Sequence, residues 1–209
     1  MQNYVDLGET AIFFIMGIAS VLALAVFVER VIVFRKSIAS QTKEFLDQFT
    51  LLLRKKDLSE AKNLAEEAPD HVYKRFAEFT LERYAENPSG VPEFMQGKMA
   101  EEKLILETRL PILNTLGNNA PFIGLLGTVL GVIKAFYNLG TLGNTGSEVV
   151  MRSISTALLA TAAGLAIAIP VVMANNYFSR KIKIIMGNLE ILSHEVIGNL
   201  LHGSGKGKH

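Results

Sequence analysis

Residues 118–136 read N-N-A-P-F-I-G-L-L-G-T-V-L-G-V-I-K-A-F, and residues 155–175 answer them with a second apolar run. Each is long enough to cross a bilayer, yet each is crowded with Gly, Ala and Thr where a lipid-facing helix would carry Leu and Val. Gly117, Gly124 and Gly131 recur at seven-residue steps, and Gly127 joins Gly131 in a G-x-x-x-G. On a helix these positions fall on one stripe that lets a second backbone approach closely. The second run repeats the device with Ser153, Ala157, Ala160, Gly164 and Ala168. In lipid, apolar burial between helices gives no driving force, so close packing and interhelical hydrogen bonds must hold them together. The two segments are therefore expected to pack as a pair.

A third apolar run lies earlier, between Ala11 and Val28, interrupted only by Gly17 and Ser20. No Lys or Arg precedes Arg30, so a cleaved signal peptide fits poorly and an uncleaved membrane helix fits well. Asp6 and Glu9 stand before this run and Arg30, Arg35 and Lys36 after it. The positive-inside rule then puts the N-terminus outside and the following residues in the cytoplasm. Arg180, Lys181 and Lys183 after the last run place the C-terminus inside as well.

The expected organisation is an all-α membrane protein with three transmembrane helices, N-out and C-in, and long cytoplasmic helical extensions. Residues 1–35 hold the first span, 36–109 a cytoplasmic helical domain and 110–138 the second span. Residues 139–148 form an outside turn, 149–178 the third span, and 179–209 a cytoplasmic helix with a Gly/Lys-rich tail. In the helical domain, Phe45, Leu46, Phe49 and Leu53, then Leu58, Ala61, Leu64 and Ala65, recur at helical spacing. Pro69, Asn87-Pro88 and Val91-Pro92 mark helix boundaries, and Ser59 and Pro92-Glu93 resemble helix starts. Lys98, Glu101, Glu102, Lys103 and Glu107 are read as a charged, solvated helix face, with docking of a cytoplasmic partner as the sharper alternative. Ile184, Ile185, Leu189, Leu192 and Val196 make the last helix amphipathic. Pro121 and Pro170 are expected to bend the spans that contain them.

Composition removes several function classes. The chain has 209 residues, 49% of them hydrophobic, and a formal net charge of +1, without the basic excess of a nucleic-acid binder. It has no cysteine, and its four histidines, His71, His194, His202 and His209, are scattered, so no metal site or cofactor is expected. A nucleotide-binding loop and a nucleophile with its base are missing, so an enzyme is not expected either.

Proton-moving membrane proteins usually carry a carboxylate at bilayer depth. Between Leu110 and Phe178 the one acid is Glu148, in the outside turn. The paired segments offer hydroxyls instead: Thr128 on the second span, and Ser153, Ser155, Thr156 and Thr161 on the third. A hydroxyl both donates and accepts, so it can orient a carboxylate or water in a narrow bore, although a helical threonine commonly bonds its own backbone. Lys134 and Arg152 are read as interfacial anchors rather than pore charges.

N-A-P-F-I-G-L-L-G-T-V-L-G-V at 119–132 and S-T-A-L-L-A-T-A-A-G-L-A-I-A-I-P at 155–170 resemble the paired signatures of the ExbB/TolQ family, kin of the MotA flagellar stator subunits. The order of parts around them agrees, whereas MotA-type subunits have four spans. The resemblance implies a homopentamer in the bacterial inner membrane around helices of an ExbD/TolR-like one-span partner, whose membrane aspartate takes up and releases protons. Such a motor drives a TonB- or TolA-like protein for outer-membrane transport or maintenance. It also implies that Thr128 and Thr161 line the bore, with Thr156 beside them and small residues sealing subunit to subunit. Many relatives carry glutamate where this chain has Thr156, so a role for that acid does not transfer. A membrane scaffold or signalling protein without ion flow would share the small-residue packing and is the competing reading.

Overall fold

The computed structural model describes residues 2–37, 42–142 and 147–201, and all its regular elements there are helical. In order they are α1 (Gln2–Ser37), α2 (Thr42–Lys55), α3 (Leu58–Glu67), α4 (Val72–Glu86), a 3-10 turn (Pro88–Gly90), α5 (Val91–Glu107), α6 (Leu110–Leu142) and α7 (Ser147–Val196), closed by a π-type turn (Ile197–Leu201). Three of the helices are long and apolar enough to cross a membrane, those beginning near Tyr4, Leu110 and Glu148. The second long helix continues to Leu142 and the third starts at Ser147. Of the expected outside turn, residues 143–146 lie outside the described residues, as do His202 and His209.

Internal contacts divide the chain into two units, one of Met1–Glu29 with Arg109–Phe178 and one of Arg30–Thr108 with Ser179–His209. In the first unit α1 contributes a row of buried residues, Ile12, Met16, Ala19, Ala23 and Val26, spaced by three and four. Much of the surface of this unit is apolar: Phe14, Val21, Phe122, Phe136, Leu158 and Met173 are among its exposed side chains. Apolar surface on that scale suits a hydrocarbon solvent.

The second unit has an ordinary water-excluding core. Phe45, Phe49 and Leu53 of α2, Ala61 and Ala65 of α3, Phe76 and Ala77 of α4 and Met95 of α5 are buried. On α7 the row Ile182, Ile185, Leu189, Leu192 and Val196 closes it, while Ile184, expected on the same face, is 51% exposed. Local chemistry sets the helix ends. Asp57, rather than Ser59, caps α3 by accepting from the Glu60 N–H at 3.1 Å, and Lys56 before it takes a left-handed φ of 59°. His71 caps α4, its Nδ1 accepting from the Lys74 N–H at 2.9 Å.

The charged stretch of α5 is solvated at Glu101, Lys103 and Glu107, as its spacing suggests, but not at Glu102. Glu102 is completely buried. Arg75 of α4 grips it with two bonds, Nε to Oε1 at 3.0 Å and Nη2 to Oε2 at 2.6 Å, and Lys98 adds a contact of 3.2 Å. Burial alone would push the Glu102 carboxyl up, but the Arg75 hydrogen bonds and the Arg75 and Lys98 charges hold it below the usual carboxylate range. The helix spacing was compatible with either arrangement; a cation arriving from α4 decided it.

The two removals differ: without Arg75 the buried Glu102 carboxylate keeps only Lys98, whereas without Glu102 the partly exposed Arg75 keeps Asp70. Arg75→Ala, which strips the buried Glu102 of its bidentate partner, should destabilise the α4–α5 pairing by up to about 3 kcal/mol, more than Glu102→Ala, and Lys103→Ala, on the exposed side, should change little; hydrogen exchange of α4 and α5 amides in the solubilised protein measures all three. His71 gives a second expectation. Burial pushes its imidazole below the ordinary range, so as pH falls below about 6.5 the unfolded chain binds the proton first and stability drops. Above that pH the ring is neutral in both states. The protection of the first turn of α4 should therefore weaken from pH 7 to pH 5 and lose that dependence in His71→Asn, which keeps a capping acceptor.

Candidate functional site

The two glycine-bearing helices meet backbone to backbone. A Cβ placed on Gly124 of α6 would fall 2.8 Å from the Ala160 carbonyl oxygen and 3.0 Å from the Thr161 Cα of α7. One on Gly164 would fall 2.7 Å from the Ala120 carbonyl oxygen. Towards the far end of α6, Gly127 faces Ala160 and Gly131 faces Ala157, with Cβ separations of 2.6 and 2.5 Å for the added atom. At the near end Gly117 faces Val171 and Val172. Numbers rise on one helix as they fall on the other, so the pairing is antiparallel and in register over the whole stripe. Ala157, Ala160, Ala168 and Ser153 are buried along it. The contacts lie within a single chain.

The hydroxyls divide by what they touch. Thr161 Oγ1 donates across the seam to the Gly124 carbonyl at 3.2 Å, at the point of closest backbone approach. Thr128 Oγ1 donates to Leu125 of its own helix at 2.6 Å, Thr156 Oγ1 to the Arg152 carbonyl at 3.1 Å and Ser153 Oγ to the Val149 carbonyl at 3.0 Å. All three threonines remain partly exposed. The polar first half of α6, expected at an interface or against protein, is exposed in this chain: Asn118 donates to Asn114 at 3.1 Å, and Asn119 to the Thr115 carbonyl at 2.8 Å. Pro121 and Pro170 both lie inside their helices, which are continuous through them. Proline has no N–H, so the carbonyl four residues earlier, of Gly117 and of Ala166, loses its intrahelical donor.

One cluster escaped the reading of the sequence. Lys134 of α6 is more than an interfacial anchor: two carboxylates of α1 hold it, Asp6 at 2.7 Å and Glu9 at 2.8 Å, and the Glu9 side chain is only 13% exposed. Arg109, at the opposite end of α6 with a φ of 65°, is hydrogen-bonded to Glu29 of α1. Charged clasps thus tie α1 to both ends of α6. The signal was available in the topology: antiparallel spans bring the start of α1 to the level of the end of α6, where Asp6 and Glu9 share one helix face with a lysine within reach.

A family model, described as the MotA/TolQ/ExbB proton channel family, matches residues 65–191. The chain is 43% identical over 89 residues to a biopolymer transport protein ExbB of Helicobacter pylori, covering 43% of this chain and 61% of that protein. It is 40% identical over 103 residues to the ExbB of Aquifex aeolicus, covering 49% and 69%. To the Tol-Pal system protein TolQ of Pseudomonas aeruginosa it is 38% identical over 106 residues, covering 51% and 46%. The matches thus span about half of this chain and, for the Helicobacter and Pseudomonas proteins, less than two thirds of the relative.

The seam makes a sharp expectation. Gly131→Leu and Gly124→Leu place a side chain where backbone or a Cβ already stands; overpacking of this kind costs about 1 to 3 kcal/mol or more. Both should lower the thermal midpoint of the purified protein in detergent and release α6 and α7 to exchange. Gly140→Ala, whose added Cβ meets nothing within 4 Å, should leave the midpoint unchanged.

Proposed function

Because the chain belongs to the MotA/TolQ/ExbB proton channel family, we propose that it is the stator-like subunit of an inner-membrane motor driven by the proton-motive force. In this reading five copies, N-terminus out and C-terminus in, surround the membrane helices of an ExbD/TolR-like one-span protein, and the motor energises a TonB- or TolA-like protein. The observation that carries it is the chemistry of the α6–α7 pair: a rigid seam bearing hydroxyls and, from Leu110 to the end of α6, no carboxylate at all. Such a pair can surround a titrating group but cannot itself relay a proton across the bilayer. The ionisable acid is therefore the partner's. Thr128, Thr156 and Thr161 supply hydroxyls to the bore, and protonation neutralises the partner's aspartate so that it can pass apolar surface.

The intrachain seam refines how the copies assemble. Gly117, Gly124, Gly127 and Gly131 are occupied by α7 of the same chain, so contacts between copies fall to the other faces of these helices. Residues 36–109 and 179–209 form the cytoplasmic part, and 139–148 the periplasmic connection.

Thr161 separates two roles by magnitude. Interhelical hydrogen bonds in membranes average about 0.6 kcal/mol, so loss of the Thr161–Gly124 bond alone should not unfold the pair. Thr161→Val should abolish force-dependent transport in cells while native mass shows the assembly intact, and Thr161→Ser should retain activity. A fully active Thr161→Val strain would refute the bore role. In vesicles, proton flux should require the one-span partner; the protein alone conducting at a comparable rate would overturn the division of labour.

A further inference from the structure

Within the second unit, α3 and α4 leave between them an open groove of about 700 Å³. Its walls are apolar at depth: Leu81 is 8% exposed, and Leu58, Tyr84 and Ala85 line it beside that residue. Glu78, Glu82 and Glu86 stand along α4 at four-residue steps, each about 6 Å further along the axis. Glu66 lines it from α3, and the single ammonium in the lining, Lys62, is 3.7 Å from that carboxylate. The groove lining thus carries four carboxylates against one cation.

Most of these carboxylates are weakly committed. Glu66 is shared with Lys62, Glu78 with Lys74 at 3.4 Å and Glu86 with Arg83 at 2.5 Å, all pairs between near neighbours on one helix with the carboxylates at least 37% exposed. The Glu66 and Glu86 pairs, more exposed, contribute little and exchange readily for an incoming cation, whereas Lys74, 17% exposed and also bonded to the Glu66 and Ala68 carbonyls, holds Glu78 more firmly. Glu82, exposed, has no cationic partner among the described residues. The contrast with Glu102, buried and gripped by Arg75 in the same unit, is direct. One set of charges is built into the core and the other is left facing outwards along an apolar channel.

We propose that the α3–α4 groove docks a basic amphipathic helix of a soluble partner protein, with Lys or Arg at every fourth residue and apolar side chains between. The charge selects the occupant: the glutamate row repels nucleic acid, phosphate and anionic lipid headgroups, whereas cations at four-residue spacing match it step for step. The apolar lining supplies the anchor, as in other helix-in-groove recognition. This surface lies outside the membrane helices, so its test does not depend on ion flow.

The probe is a labelled four-turn helical peptide carrying Lys at every fourth position beside Leu, with a control in which each Lys is Glu. It is titrated into the full-length protein in detergent. The basic peptide should bind with an affinity that falls as salt rises, and should protect α3 and α4 amides from exchange. Binding should weaken on the order of tenfold in the triple variant Glu78→Gln/Glu82→Gln/Glu86→Gln and in Ala85→Arg, whose new side chain enters the groove. Glu82, Ala85 and Glu86 are exposed and Glu78 half-buried, and unchanged exchange in the α2 core verifies that the variants fold. Equal binding by the triple variant, binding of the acidic peptide, or protection elsewhere than α3 and α4 overturns the proposal. The chain's own Lys206 and Lys208 are the competing occupant, since Tyr84 in the groove wall donates to the Leu200 carbonyl at 3.4 Å. If a chain ending at Leu201 binds the peptide at least tenfold more tightly, the groove belongs to that tail and the partner is overturned as its occupant.

Discussion

Backbone contact between α6 and α7 is the constraint on which the membrane unit depends. In hydrocarbon two apolar helices gain nothing by leaving lipid for each other, so they stay paired only if they come close enough for dispersion and backbone polar contacts to accumulate. The missing side chains at Gly124 and Gly164 bring each backbone to the other's carbonyl oxygens. A hydroxyl, Thr161, then donates across the gap. This closeness also uses up the small-residue faces inside the chain. What remains to meet lipid or other chains is the apolar exterior with its partly exposed threonines and asparagines.

The second unit solves a different problem with different chemistry. It relies on apolar burial, with a core that is aromatic and aliphatic in the ordinary way. Against that background the Arg75–Glu102 pair is unusual, because a buried ion pair stabilises little relative to apolar residues of similar volume. Its geometry is selective: the buried carboxylate keeps both its guanidinium bonds only where α4 sets Arg75 against α5. The outward glutamates of α4 carry no such constraint, and that freedom is what makes the α3–α4 groove available to a basic segment.

Much was legible from residue spacing. Seven-residue glycine steps gave the helix pair. The motifs at 119–132 and 155–170 gave the family. Where spacing misled, the reason is the same each time. Glu102 and Lys103 sit side by side in a charged run, and nothing local says which of them turns inward. Ile184 and Ile185 are equally apolar, yet α7 buries only the second. Lys134 read alone is an anchor; its two carboxylates lie more than a hundred residues away in sequence.

Helicity, three helices suited to a bilayer and membership of the family could all be read from the residues alone, because they follow from periodicity, apolar length and local motif. Which partner each polar group meets could not, since it is fixed by the way the helices pack. Thr161 crosses to Gly124 while Thr128 turns back on its own helix, and the glycine stripe closes within the chain. Such choices depend on the register between helices, which is set by the fit of whole surfaces and cannot be read from any one of them.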